Sequence, residues 1–284
     1  MGQLLSSLGI TGVIAVVVMV FALIGMIVCA KKQDTIAIAK PAAVGLMVVV
    51  MICAVVILMR TGVIGDQGTK KIIENEFTYT KASYYTLGNH IANKLPGTKI
   101  LLIVDRQRQN DDRTPKLLEA FKQGLNGKAT ITATETPAID WPEGRPQPKP
   151  EELDMMPLQE MMNAKSFNDL MTKYPDCNLI VSFIGLPNDI ENLAVWAIWQ
   201  EGTVEEAKRP KICLINGAYH NLKDAIKSGI VAGVVAVNPT AKFTDEAAPS
   251  DIKAAFDKRY ILITPENVDD IAQKYGNMFE TKQQ

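Results

Sequence analysis

Leu8 to Ala30 is a run of 23 residues without one charged side chain, and no other feature of the sequence constrains the chain as tightly. At about 1.5 Å of rise per residue, such a run crosses a hydrocarbon core of roughly 30 Å as a single helix. A second uncharged run, Pro41 to Met59, follows a ten-residue connection from Lys31 to Lys40. Pro41 stands at its first helical position, where a missing N–H costs nothing. The expectation is an antiparallel transmembrane hairpin within residues 1–64, with helices at about 8–30 and 41–59 and a lipid bilayer as partner. A cleaved signal peptide does not fit: no Lys or Arg precedes the first run, and its apolar stretch exceeds the usual length of about 7–15 residues.

The short connection carries Lys31, Lys32 and Lys40, and the residues ahead of the first run carry no basic side chain. Positive charge near helix ends stays inside, so the connection faces the cytoplasm. The N-terminus and residues 65–284 then lie outside it, as a multi-pass cell-membrane protein. Arg60, Lys70 and Lys71 do not reverse this, because a long domain translocates largely regardless of charge. Met1-Gly2-Gln3-Leu4-Leu5-Ser6 fits a myristoylation pattern, but a helix that already spans the bilayer has no need of an acyl chain. Gly25 and Cys29 form a small-xxx-small pair that reads as packing within the hairpin.

The charge balance of 30 basic against 31 acidic residues hides a division. Residues 1–64 hold four basic side chains and one acidic, a net +3, which leaves −4 for residues 65–284. A mildly acidic domain without a basic stripe is not built for nucleic acid. Four scattered cysteines, with no CxxC pair, suit neither a disulfide scaffold nor zinc.

From Gly65 to Thr80 the chain is polar, which suits a tether. Tyr84, Leu87, Ile91 and Leu95 then recur at helical spacing, and Pro96-Gly97 ends the pattern. Strands are expected at about 99–104, 129–134, 178–184, 211–215, 230–237 and 260–264, each a nearly continuous apolar run of the kind buried on both faces. Amphipathic segments at 115–125, 158–174, 189–200, 222–227, 250–258 and 268–279 read as helices between and after them. Residues 81–284 thus form an extracytoplasmic α/β domain: a doubly wound, mostly parallel six-stranded sheet, Rossmann-like or flavodoxin-like, in a single lobe. Residues 135–157 interrupt the rule with Pro137, Pro142, Pro146, Pro148, Pro150 and Pro157, a loop well beyond the usual two to six residues. Within it Trp141 either anchors a partner or pins its own loop.

The run Pro175-Asp176-Cys177-Asn178-Leu179-Ile180-Val181-Ser182-Phe183-Ile184-Gly185-Leu186-Pro187 resembles the third strand of type 1 periplasmic-binding domains and ABC-transporter substrate-binding proteins. Arg209-Pro210-Lys211-Ile212-Cys213-Leu214-Ile215 is similar to the next strand, and Ala232-Gly233-Val234-Val235 to the one after. The likeness covers about residues 98–240 and implies a solute-binding-like lobe. That family closes its ligand between two lobes and this sequence holds one, so the family's ligand residues are not carried over.

In an open α/β sheet ligands bind beyond the carboxyl ends of the strands. The residues expected there are Asp105, Arg106 and Arg108, then Pro187, Asn188 and Asp189, then Asn216, Tyr219 and His220, then Asn238, and finally Glu266 and Asn267. One reading holds a small polar or anionic ligand on the arginines and helix N-termini; the other makes the short polar residues helix caps and leaves the arginines solvated. Strand one is followed by Asp105-Arg106-Gln107-Arg108-Gln109-Asn110 with no glycine, and GxxxxGK[ST] occurs nowhere, so no dinucleotide or nucleotide cofactor is expected. With only His90 and His220, His-rich metal sites are excluded, and no GxSxG pentapeptide offers His220 a nucleophile. Gly217 to His220 reads as a turn that leaves His220 exposed. Cys177 and Cys213 read as buried thiols, with a disulfide as the alternative.

Three functions remain: a membrane-anchored, non-catalytic sensor or accessory module, a scaffold that self-associates or binds a partner through the proline-rich loop, and an enzyme using the crevice residues.

Overall fold

The computed structural model describes residues 2–32, 38–60, 67–106, 111–139, 141, 149, 152, 156, 158–202, 204–215, 217, 219–244 and 246–279. It divides into two compact units, one up to Glu74 and one from Asn75 onward.

In the first unit, α1 (Gly2–Lys31) and α2 (Ala39–Arg60) pack against each other. The packing uses small residues. Ala15, Ala22 and Cys53 are buried, and a Cβ on Gly25 would meet Leu46 Cδ1 at 2.9 Å, so the small residue does serve packing within the hairpin. The large side chains point outward instead: Phe21 is 70% exposed, Val44 63% and Ile52 59%. The stretches Ile14–Lys31 and Ala39–Leu58 are long and apolar enough to cross a membrane.

The second unit begins inside α3 (Gln67–Lys94), so residues 67–80 are helical where the sequence suggested a tether. The helical pattern reaches upstream of Lys81 because Tyr79 shares the buried face of Ala82, Leu87 and Ile91. After α3 come β1 (Lys99–Ile103), α4 (Arg113–Leu125), β2 (Thr130–Glu135), the single turn α5 (Leu158–Met161), α6 (Ala164–Lys173) and β3 (Leu179–Ser182). Then follow α7 (Ala194–Glu201), β4 (Lys211–Ile215), α8 (Lys223–Lys227), β5 (Val231–Val237), α9 (Ile252–Arg259), β6 (Tyr260–Ile263) and α10 (Val268–Lys274). The expected 158–174 helix breaks because Asn163 caps a fresh start, its Oδ1 accepting from Ser166 N at 2.9 Å.

The strands form one sheet in the order β2-β1-β3-β4-β5-β6, parallel except that β6 runs antiparallel to β5. The reversal has a local cause. β6 starts directly after α9, and Asn238 N donates to Arg259 O at 2.8 Å, so the helix returns the chain to the carboxyl end of β5 instead of its amino end. Successive side chains alternate between the sheet's faces. Ile100, Leu102, Val181, Cys213 and Val235 pack under α3, α4 and α9, around Leu87, Phe121 and Phe256. Leu101, Ile103, Ile180, Leu214 and Val234 pack under α6, α7, α8 and α10, around Phe167, Val195 and Ile226. Each fully buried Leu, Ile or Phe contributes about 1.5–3 kcal/mol.

Two contacts fix the first layer. Where α3 crosses α4 the backbones touch: a Cβ on Gly124 would stand 2.2 Å from Tyr85 O, and one on Gly88 2.3 Å from Phe121 O. Arg259, 2% exposed, lies between the rings of Tyr79 and Phe243 at 4.5 and 4.3 Å and donates through Nη2 to Glu76 at 2.8 Å. Its Nη1 donates to Lys242 O, which ties the β5–α9 connection to α3. Cys177 and Cys213 are free thiols on opposite sides of the sheet, Cys177 against the α6 face and Cys213 within the α3 face. A bond between them would have to pass through the sheet.

Candidate functional site at the carboxyl end of the sheet

The order in which strands are added switches sides between β1 and β3, which run parallel, and this is the position where open α/β sheets form a crevice. The parallel strands bring five of the eight proposed site residues to this end of the sheet within the described residues: Asp105, Arg106, Asn188, His220 and Asn238. Arg108 and Asn216 lie outside those residues.

After β1, Asp105 Oδ1 accepts from Arg106 N at 2.7 Å, which turns the chain. Arg106 donates through Nη2 to Met156 O at 3.2 Å, fastening the far end of the proline-rich connection. After β3, Asn188 is exposed, while Asp189 Oδ1 accepts from Ala164 N at 2.8 Å and so caps α6. Asn238 Oδ1 accepts from Thr240 N and Oγ1 at 3.0 and 2.8 Å and closes a turn after β5. Asp189 and Asn238 therefore carry out the local capping and turning work that short polar residues do whether or not a ligand is bound.

Two expectations are corrected. Glu266 does not belong to the crevice: because β6 is antiparallel, its carboxyl end lies beside the amino ends of the other strands. There Glu266 pairs with Lys94 at 3.1 Å, and the Thr264 hydroxyl, its own backbone and Lys94 hold its carboxyl at about 2. Its neighbour Asn267 instead guards the sheet edge, accepting from Thr264 N at 2.7 Å and donating to Leu262 O at 2.9 Å, which occupies backbone groups of β6. His220, expected to be exposed, is half-buried: its Nδ1–H donates to Met278 O at 2.7 Å, and its ring stacks on Tyr219 at 4.8 Å. Tyr219 in turn meets Phe279 at 6.3 Å, so this pair holds the last described turn of the chain. Burial pushes the Tyr219 hydroxyl above its ordinary range.

Three further residues at this end of the sheet, Ser182, Gly185 and Gly217, were not expected as site residues. Ser182 Oγ donates to Gly185 O at 2.5 Å and accepts from Ile184 N at 3.3 Å, curling the loop after β3. Gly185 and Gly217 both sit at positive φ, +83° and +96°, and a Cβ on Gly217 would come within 2.8 Å of Gly185 Cα. The loops after β3 and β4 thus meet backbone to backbone. Gln159 of α5 lies over them, its Nε2 only 2.9 Å from where a Gly185 Cβ would be. A glycine shortly after each of two neighbouring strands was the available signal. Gln159 offered none, because it arrives from a connection with no periodicity.

The nucleophile candidates are quiet. Cys213 is buried, and burial pushes its thiol up to about 12. Cys177 is raised in the same direction by burial. Trp141 is half-buried, with its indole N–H shielded and unpaired among the described residues, which favours the loop-pinning reading over an exposed partner anchor.

No family model and no curated protein matches the chain. Among solved structures, the chain is similar to a galactofuranose-binding protein at 11% identity and a TM-score of 0.42, over 70% of this chain and 64% of that one. It is similar to a periplasmic ribose ABC transporter protein from Conexibacter woesei at 15% identity and 0.41, over 71% and 63%. An ABC transporter periplasmic solute-binding protein from Actinobacillus succinogenes, with bound D-allose, gives 12% and 0.39, over 68% and 62%. The chain spans less than two thirds of the length of each. This is the fold-level resemblance read from residues 98–240, and it says nothing of a ligand here.

Proposed function

We propose that this chain is a membrane-anchored, extracytoplasmic binding module. Its hairpin at residues 1–64 spans the bilayer, its N-terminus and α/β domain lie outside the cytoplasm, and its carboxyl-end crevice holds a small polar or anionic ligand beside Arg106 without covalent chemistry. The observation that carries the reading is the state of His220, the only imidazole at the crevice. Its Nδ1–H is given to the Met278 carbonyl, which holds the last described turn, and among the described residues no hydroxyl or thiol is hydrogen-bonded to its other ring nitrogen. The outward-facing apolar side chains of α1 and α2 support the anchor, since a hydrocarbon surrounding accepts them without the cost of exposing them to water.

A thermal-shift screen of the full-length protein against phosphates, carboxylates, amino acids and nucleotides tests the binding reading, run on the parent and on Arg106→Ala. A ligand at about 100 times its dissociation constant stabilises by roughly 2.7 kcal/mol, which is readily seen. A shift lost in Arg106→Ala supports the crevice, and one that survives puts the site elsewhere. A parent that responds to nothing and associates with increasing concentration is instead a scaffold. Impermeant thiol labelling in intact cells tests the anchor: Gln67→Cys should react from outside and Gln33→Cys should not.

A further inference from the structure

Most polar side chains around the crevice hold one another or the backbone; Gln159 does not. It is half-buried at the carboxyl ends of β3 and β4, and its carboxamide has no hydrogen-bond partner among the described residues. What lies beneath it is bare backbone. Gly185 and Gly217 are both at positive φ and in mutual contact, and the amide nitrogen would stand 2.9 and 3.7 Å from a Cβ on each. A side chain at Gly185 would crowd the amide, and one at Gly217 would strike the backbone of Gly185, so the two βα loops lie flat on each other beneath one polar group, at the end of the sheet where α/β proteins receive ligands.

We infer that Gln159 is a ligand-recognising residue of the crevice, and that the group it meets both donates and accepts hydrogen bonds: a carboxamide or a hydroxyl on a small molecule. A carboxamide offers one acceptor oxygen and two N–H donors. A bare anion would engage only the donors and set its charge against the oxygen, whereas a hydroxyl or an amide satisfies both. The inference rests on the binding reading above and narrows it. Arg106, which holds Met156 three residues before Gln159, would meet any anionic end, and Gln159 the neutral polar end.

The test uses the full-length protein in detergent with named probes: glycinamide, asparagine and erythritol, against acetate and inorganic phosphate. Binding is followed by thermal shift and calorimetry in the parent, Gln159→Met and Arg106→Ala. Gln159→Met keeps the length of the side chain and removes both hydrogen-bonding functions. The expected result is saturable binding of an amide or hydroxyl probe that weakens about tenfold in Gln159→Met, while the ligand-free melting temperature stays put. If such a probe binds and weakens only in Arg106→Ala, Gln159 has no recognition role and the binding reading stands. Binding of acetate or phosphate alone likewise overturns the role of Gln159 and leaves the binding reading in place. A ligand-free melt several degrees lower in Gln159→Met makes the residue structural and overturns the inference. If no probe binds the parent, the inference and the reading beneath it fall together.

Discussion

The hairpin and the α/β domain use the same apolar residue types with opposite orientation. In α1 and α2 the small residues Ala15, Ala22 and Gly25 face inward, and Phe21, Ile27 and Ile52 face outward. In the domain Leu87, Phe121 and Phe167 are fully buried, and charge covers the exterior. The difference teaches where each region finds its stability. On the membrane reading proposed above, the hairpin helices have no hydrophobic gain to collect from each other, and close approach of small residues does the packing. In water the same side chains stabilise by leaving solvent.

The largest test of that contrast is one substitution made twice. Gly124→Ala places a Cβ against the Tyr85 carbonyl, which is backbone and cannot yield, so a loss of about 3 kcal/mol or more is expected in chemical denaturation. Gly25→Ala meets only the tip of Leu46, a side chain free to rotate, and should cost less than about 1 kcal/mol. Equal costs would mean that the two interfaces pack alike. Next, Leu87→Ala should destabilise by about 2–5 kcal/mol, since the residue is wholly buried. Phe21→Ala in detergent should leave the melt within about 0.5 kcal/mol, because that ring already faces the surrounding medium.

The smallest effect is a matter of pH. His90 packs on β5, its Nε2 3.0 Å from Ala232 O and its ring against Gly233, and burial lowers its pKa below the usual imidazole value. The unfolded chain then binds the proton more readily. The stability His90 contributes is present above its unfolded pKa of about 6.5 and is lost as pH falls through the folded value. A melt followed between pH 8 and 5 should therefore decline on the acid side, and less so in His90→Gln. The runs 8–30 and 41–59 hold no Asp, Glu or His, so the hairpin should be indifferent over the same range.

Much of the fold was legible because it rests on short-range patterns. The expected runs located all six strands, and Pro96-Gly97 marked the end of α3, but β2, expected to be an apolar run buried on both faces, is an edge strand whose residues are exposed or half-buried. Direction was harder to read. Nothing in Tyr260 to Ile263 says that the strand runs backward; that follows from where α9 ends, a tertiary fact, and it removed Glu266 from the crevice. The crevice itself was half legible. Residues just past β1, β3, β4 and β5 arrive where strand ends put them, but His220 faces the last described turn and Gln159 enters from a distant connection. Side chains that cross between connections leave no trace in a local pattern.

Arg259 gathers three separate stretches of backbone under one guanidinium: the first turns of α3 beyond Asn75, residues 242–244 and the end of α9. Such a fastening makes their opening collective. Amide protons at the start of this helix and in the loop it grips should exchange with solvent at a common rate, as one small cooperative unit beneath the global unfolding of the domain. In Arg259→Met that shared rate should split into three, each stretch breathing on its own.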